Sequence, residues 1–303
     1  MKKQYFAILV SIISVSFASI FIVSLNQRGV EPLTIALYRL LFTTLLILPF
    51  VIVHKTTRQE LLHLPRSSLF LMMFIGLVLA AHFALWITSL TKTSVASSVI
   101  LVTAHPILVG PVSYVFLKEK LSKINALGIS ISVAGVAFLV LGNYGFSSFA
   151  LDTVEGNILA MLGGIAAGIY ILGGRTLRKT VSVASYAFVV YATGTLALFV
   201  LCLVFQQPIL NLTIGDYEIL LLMAFVSGIL GHTLYNWSLK YIRAAVASVA
   251  LLGEPIGSSL LAYAMPWIHQ QPSQFTLIGG GIILVGIYLT ARNTQNADVL
   301  ENV

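Results

Sequence analysis

Ten runs of mostly apolar residues follow one another along the chain, and short connections that hold most of the charged residues separate them. A helix needs about 20 such residues in succession to cross a bilayer core of roughly 30 Å. The runs, numbered here as spans one to ten, cover residues 5–26, 33–53, 67–91, 95–117, 124–142, 156–174, 183–206, 215–239, 245–268 and 274–291. The pattern predicts an all-α integral membrane protein with ten transmembrane helices.

The composition agrees with a surface that faces lipid. Of the 303 residues, 58% are hydrophobic and 9% are charged, whereas soluble domains average about 45–50% apolar and about 25% charged residues. So few charges could not cover a water-soluble protein of this size. We therefore exclude the soluble globular classes.

The positive charges predict the orientation of the chain in the membrane. Counted with the N-terminus inside, alternate connections place fourteen of the 17 lysines and arginines on one side. Cationic residues are retained on the cytoplasmic side, so we expect a multi-pass protein of the cell membrane with both termini in the cytoplasm. The excess of positive charge is thus a signal of topology. Its expected partner is the lipid headgroup layer, and we expect no nucleic acid.

The two halves of the chain repeat each other at an offset of about 150 residues. Two copies of an odd number of helices must lie in opposite orientations, as they do in many secondary transporters. The matched pairs are Ile8 with Ile158, Leu9 with Leu159, Leu90 with Leu239, Ala96 with Ala245, Pro106 with Pro255, Ile107 with Ile256, Gly128 with Gly279 and Gly135 with Gly286. We expect a first five-helix repeat at 1–142, a linker at 143–154, a second, inverted five-helix repeat at 155–292 and a polar tail at 293–303.

Several of these positions also carry a resemblance to a known family. They are Tyr38-Arg39 in span two, His105-Pro106 and Glu254-Pro255 in spans four and nine, the Lys118-Glu119-Lys120-Leu121-Ser122 exit from span four, and the paired glycines. Together they resemble the EamA family of the drug/metabolite transporter superfamily. The resemblance implies an exporter of ten helices in inverted repeats, with a central cavity lined mainly by helices other than five and ten.

This chain departs from the family pattern at one place. Glu119 has no acidic counterpart after span nine, where residues 265–269 read Met-Pro-Trp-Ile-His. A mechanism that needs the acidic exit motif in both halves is therefore doubtful for this chain.

Four ionisable residues within the spans are candidate substrate-binding residues, because such residues cost about 2.5–3.5 kcal/mol to insert into a membrane. Arg39 could bind a carboxylate or phosphate through its paired donors, or it could have a structural role. Glu254 could bind substrate or protons, or stabilise the helix break that Pro255 causes. His105 occupies the equivalent position before Pro106. His82 is a further candidate, although a membrane histidine can also simply bond a neighbouring helix.

Trp86 and Tyr38 complete the candidate set as aromatic residues of the cavity. Aromatic side chains also concentrate at the boundary between lipid and water, so that alternative stays open for both. The small residues Gly128, Ser132 and Gly135 share one face of span five, as Gly279 and Gly286 do in span ten. Small side chains let membrane helices approach closely, so we expect these faces to be packing surfaces.

Signatures of an intramembrane enzyme, such as H-E-x-x-H, G-x-S-x-G, a phosphate-binding loop or an aspartate pair, do not occur in the sequence. We therefore expect a secondary transporter and not an enzyme, with no cofactor and no metal. It would export small metabolites, such as amino acids or related compounds, or drugs, by alternating access. A passive facilitator or channel is the alternative, and a membrane-embedded enzyme is a more distant one. Protons are the candidate coupling ion; substrate identity, direction and oligomeric state stay open, with a homodimer as one arrangement.

Overall fold

The computed structural model describes residues 3–93, 98, 101–145, 154–265 and 271–292. Within these residues the chain forms helices joined by turns, and it contains no strand. The polar tail at 293–303, most of the linker at 143–154 and the beginning of span four lie outside the described residues. The fold is therefore reported for the remainder of the chain.

The helices follow the apolar spans closely. They are α1 (Lys3–Gln27), α2 (Pro32–Val53), α3 (Lys55–His63), α4 (Arg66–Ser89), α5 (Pro106–Phe116), α6 (Lys123–Tyr144), α7 (Val154–Leu177), α8 (Val183–Val204), α9 (Ile214–Met223), α10 (Leu234–Ser238), α11 (Ala244–Ala250), α12 (Glu254–Ala264) and α13 (Gln274–Arg292). A π-helix (Ala224–Thr233) joins α9 to α10, and a 3₁₀ turn (Leu251–Gly253) joins α11 to α12.

Within the described residues, eight helices are long and apolar enough to cross a membrane. Two further apolar helices, Leu101–Phe116 and Lys123–Leu139, are shorter and correspond to spans four and five. The all-helical, membrane-spanning class predicted from the sequence is confirmed. The total of ten spans stays a prediction.

Helix α3 was not expected, because its polar sequence reads as a connection between two spans. Its Thr57 is buried, and Glu60 accepts hydrogen bonds from the backbone N–H of Ser182 at 2.8 Å and from the hydroxyls of Ser182 and Ser185. Burial raises the pKa of Glu60, but these hydrogen bonds and the charge of Arg178 outweigh that effect and lower the pKa below its usual value. Glu60 thus holds α3 against the start of α8.

Spans four and nine are both interrupted immediately before a proline. Helix α5 starts at Pro106 after a turn at residues 104–105, and α12 starts at Glu254, with Pro255 next, after the 3₁₀ turn. Proline lacks the backbone N–H that would continue the ladder of the preceding turn. The breaks expected at these two repeat-equivalent positions are therefore present.

Helices α6 and α13 pack closely across the two halves through Gly128, Gly135, Gly279 and Gly286, which we call the glycine seam. A Cβ atom added to Gly128 would lie 2.7 Å from the carbonyl oxygen of Gly286, and one added to Gly279 would lie 3.0 Å from that of Gly135. Residue numbers rise along one helix as they fall along the other, so the two helices run antiparallel. The packing role expected for these glycines is confirmed.

Substitution in the glycine seam should destabilise the protein, whereas substitution beside it should not. Gly128→Val would place atoms against the α13 backbone, and overpacking of this kind costs about 1–3 kcal/mol. Gly281 lies on the same helix α13 with open space around its Cα, so Gly281→Ala should be neutral or stabilising by up to about 1 kcal/mol. Thermal unfolding of both variants in detergent checks this. Equal melting temperatures of the two variants would contradict the packing role of the glycine seam.

Candidate functional site

Arg39 lies within α2 and is only 2% exposed. Its guanidinium carbon lies 4.2 Å from the ring centroid of Phe83 on α4, which is the geometry of a cation–π interaction. Its Nη1 atom has no hydrogen-bond partner within the described residues. The protein therefore stabilises this charge by an aromatic face but leaves part of its donor capacity unused.

His82 and Trp86 stand one turn apart on α4, beside Phe83. Their rings are stacked with centroids 5.9 Å apart, and Nδ1 of His82 lies 2.9 Å from the carbonyl oxygen of Gly163 on α7. That bond to a neighbouring helix is the structural alternative considered for His82. Trp86 is buried, and its indole N–H has no partner among the described residues.

The helix breaks place His105 and Glu254 near the same region. His105 is buried, its Nδ1 has no partner within the described part of the chain, and its ring is close enough to His82 to interact electrostatically. Glu254 is partly buried and interacts electrostatically with Arg39. The described residues offer its carboxylate no hydrogen bond and no ion pair within 4 Å.

A buried hydrogen-bond network from spans six, seven and eight lies against this region, and the sequence analysis did not find it. Nδ2 of Asn236 donates to the hydroxyls of Tyr170 and Tyr191, and the Tyr191 hydroxyl is 3.3 Å from that of Thr233. Tyr170 also packs beside His232 with ring centroids 6.1 Å apart. The available signal was an asparagine in the middle of an apolar run, which costs free energy unless its amide is bonded.

The π-helix positions the His232 end of this network. Ser11 on α1 donates a hydrogen bond of 2.6 Å to the carbonyl oxygen of Gly231, and Ser227 donates one of 3.1 Å to that of Ser14. These bonds fix the widened turns against α1. His232 then lies edge-on to Phe83, with ring centroids 5.4 Å apart. π-Helical turns often occur at functional sites because they redirect side chains.

Tyr38 lies apart from the other candidates. Its hydroxyl donates to the carbonyl oxygen of Ile209 at 2.9 Å, and its ring packs edge-on against Tyr217. It lines a groove of about 410 Å³ between α2 and α8, together with Thr44 and Thr195. Of the six predicted binding residues, Arg39, His82 and Trp86 are connected through ring contacts of Phe83 and His82, whereas Tyr38 bonds Ile209 and packs on Tyr217 instead.

We call the central group the Arg39 cluster. It consists of Arg39, His82, Phe83, Trp86, His105, Tyr170, Tyr191, His232, Asn236 and Glu254. Its members come from helices other than α6 and α13, which correspond to spans five and ten. No group of three or more His, Cys, Asp or Glu side chains suited to a metal ion is found among the described residues. The cluster instead offers one cation, one carboxylate, unpaired N–H and ring-nitrogen groups, and aromatic faces.

Comparison with known proteins identifies the family. The profile of the EamA-like transporter family matches this chain twice, over residues 2–141 and 154–292. The chain therefore belongs to the EamA-like transporter family. It is a multi-pass membrane protein, and the family indicates a transport role and not an enzymatic one.

Similar proteins carry names of the same kind. An uncharacterized transporter of Clostridium kluyveri is 24% identical over 314 aligned residues, which cover 100% of this chain and 97% of that protein. The uncharacterized transporter YdfC of Bacillus subtilis is 23% identical over 269 residues, covering 87% and 83%. One crystal structure matches with a TM-score of 0.79 at 17% identity, over 98% of this chain and 99% of that one. That structure supports the fold, and these names specify no substrate.

The hydrogen-bond network in the Arg39 cluster gives a matched pair of variants. Tyr191→Phe removes a hydroxyl that is bonded to Asn236 and Thr233, and the loss of these hydrogen bonds should cost about 1 kcal/mol. The cost is no larger because Asn236 still bonds Tyr170 and Thr233 still bonds the carbonyl oxygen of Gly228. Tyr235→Phe removes a buried hydroxyl that has no partner among the described residues, so it should cost nothing. The melting temperatures in detergent measure both effects. A loss of stability in Tyr235→Phe as large as in Tyr191→Phe would show that the network is not what stabilises this region.

Proposed function

We propose that the protein is a secondary active transporter that exports a small, zwitterionic metabolite, such as an amino acid or related compound, by alternating access. The supporting observation is that three buried polar groups of the Arg39 cluster have no hydrogen-bond partner among the described residues. Nη1 of Arg39, Nε1 of Trp86 and Nδ1 of His105 are buried without partners in the described residues. Buried polar groups are nearly always hydrogen-bonded, so three unpaired ones in one cluster favour a site completed by a ligand.

The chemistry of the cluster favours a ligand with two opposite charges. The guanidinium of Arg39 suits a carboxylate, since its donors lie in one plane and pair with two oxygens. The carboxylate of Glu254 suits an ammonium group. Phe83 and Trp86 offer apolar faces to the body of the ligand. In water-poor surroundings each of these interactions is stronger than at a protein surface.

The arrangement of the chain supports alternating access. We propose that residues 1–142 and 155–292 are inverted five-helix repeats joined by the linker at 143–154. The antiparallel glycine seam and the two matches to one family profile support this. The positive charge of alternate connections supports a cell-membrane location with both termini in the cytoplasm.

Arg39 provides the test of the binding site. Untargeted metabolite profiling of cells that overproduce the protein, against cells that lack it, should find a compound enriched in the medium. Arg39→Met should abolish the enrichment, and Arg39→Lys should retain part of it, because lysine keeps the charge but loses the paired donors. Arg28→Met is the matched control, because Arg28 is half-exposed and pairs with Asp216 instead.

All variants must be compared at equal abundance in the membrane. Export that is unchanged in Arg39→Met would contradict a substrate role for this residue. A product that accumulates without any export change would favour an enzyme over a transporter.

Glu254 provides the test of proton coupling, which we propose because its carboxylate is partly buried and has no ion pair within 4 Å among the described residues. Glu254→Gln keeps the shape of the side chain but removes the proton site. Uptake of the exported compound into inside-out vesicles should therefore lose its pH dependence between about pH 5.5 and 8.5. Glu155→Gln, which alters an exposed carboxylate, is the control. An unaltered pH profile in Glu254→Gln would contradict proton coupling through Glu254.

A further inference from the structure

A buried acidic side chain joins the loop after α5 to two elements of the second half. Glu119 accepts a hydrogen bond from Nε of Arg175 at 2.6 Å through Oε1. Its Oε2 accepts a hydrogen bond from the backbone N–H of Ala244 at 2.9 Å. We call Glu119, Arg175 and Ala244 the basic-end latch, because cationic connections surround it. Both oxygens of the carboxylate are used, so the latch depends on one side chain.

Backbone contacts extend the latch to the end of span eight. Nη1 of Arg175 donates to the carbonyl oxygens of Leu239 at 2.8 Å and Lys240 at 2.9 Å. Arg243 donates a further hydrogen bond of 2.8 Å to the carbonyl oxygen of Lys120. The ends of spans four, six, eight and nine are thereby connected at one place.

The latch lies between the Arg39 cluster and the basic end of the bundle. Along span four, the eleven residues of α5 separate His105 from the loop that carries Glu119. Along span nine, Ala244 precedes Glu254 by ten residues. At 1.5 Å per helical residue, the latch is about 15 Å from the cluster along both spans.

The latch differs from the other ion pairs of the described residues. Glu119 and Arg175 have side chains that are 6% and 13% exposed. In Lys92–Glu155 the side chains are 41% and 69% exposed, and in Arg28–Asp216 the arginine is 50% exposed. Exposed pairs contribute little to stability, whereas loss of one partner of a buried pair leaves an uncompensated charge.

The sequence makes the latch specific to one end of the bundle. The repeat-equivalent segment after span nine, residues 265–269, contains no carboxylate. A second copy of the same device therefore cannot form there.

We propose that the basic-end latch is the gate that closes the Arg39 cluster to the basic end of the bundle. The inference rests on the proposed alternating access. Spans four and nine belong to opposite repeats, so moving their basic ends apart breaks the bond between Glu119 and Ala244. Water that enters the open gate hydrates the separated charges and offsets much of the lost attraction. The closed and open arrangements can then be close in free energy, which a gate requires.

Accessibility of a buried reporter tests the gate without transport. His105→Cys, in a Cys202→Ala background, places a thiol in the Arg39 cluster. A membrane-impermeant maleimide is applied to inside-out and to right-side-out vesicles. Inside-out vesicles expose the basic end of the bundle to the reagent. In these vesicles Glu119→Gln should raise the labelling rate at least about tenfold, because it removes one partner of a buried ion pair. Labelling from the opposite face should not rise.

Glu60→Gln is the matched control for a carboxylate at the same end of the bundle. Glu60 bonds Ser182 and Ser185, but α8 also packs along α2 and α4, so its loss should not open a path. The labelling rate should therefore equal that of the His105→Cys, Cys202→Ala protein without a further change. Equal increases in the Glu60 and Glu119 variants would overturn the gate.

A second measurement covers the case in which Glu119→Gln does not reach the membrane. Cysteines at Lys120 and Arg243 leave Glu119 in place, and their positions are close because Nη1 of Arg243 lies 2.8 Å from the carbonyl oxygen of Lys120. Joined by a short bismaleimide, they should hold the gate closed and reduce labelling of the reporter from the basic end to background. Unchanged labelling after this cross-link would overturn the gate.

The outcomes separate the gate from the transport proposal. A reporter labelled from one face at a time, with no effect of Glu119→Gln, would overturn the gate and leave alternating access intact. A reporter labelled at similar rates from both faces before any change to Glu119 would overturn alternating access itself, and the gate with it.

Discussion

An ionised guanidinium inside a membrane bundle must be stabilised by the protein, because hydrocarbon offers neither water nor counter-ions. Arg39 meets this requirement with the face of Phe83, whose ring centroid lies 4.2 Å from the guanidinium carbon. The helix breaks at the two prolines bring polar residues to the same region. Spans two and three therefore stabilise one buried charge and leave its Nη1 donor available.

Features that depend on hydropathy or on a single residue type could be predicted from the sequence. Apolar runs located the helices, the prolines located the breaks, and repeated glycines located the contact between α6 and α13. Ionisable residues within the spans located four of the ten members of the Arg39 cluster, and Trp86 was a fifth predicted member. Helix α3 was missed because it is polar, and Tyr170 and Tyr191 because their importance depends on Asn236, which lies 66 and 45 residues away in the chain. Glu119 was noted as part of a motif, but its partners lie 56 and 125 residues away and could not be predicted. Such pairings are fixed by packing and leave no periodic signal.

The glycine seam and the basic-end latch are two of the contacts between the halves, and they differ in physical character. The glycine seam is a close approach of backbones, which tolerates little sliding because added atoms would overlap. The basic-end latch is polar, and water can replace its partners when it separates. Under the proposed alternating access, a rigid seam and a breakable latch would let the basic ends of spans four and nine separate without loss of the bundle. The latch can therefore open while the seam keeps the halves together.

Distances across both ends of the bundle test the central claim, that the Arg39 cluster opens to the two sides in turn. Spin labels at Lys118 and Lys240 report the basic end, and labels at Thr91 and Ile214 report the other end; all four positions are exposed. Pulsed electron paramagnetic resonance in lipid nanodiscs, with and without the exported compound, gives both distance distributions. The account predicts shifts of opposite sign at the two ends. Unchanged distances at both ends, or shifts of the same sign, would contradict it.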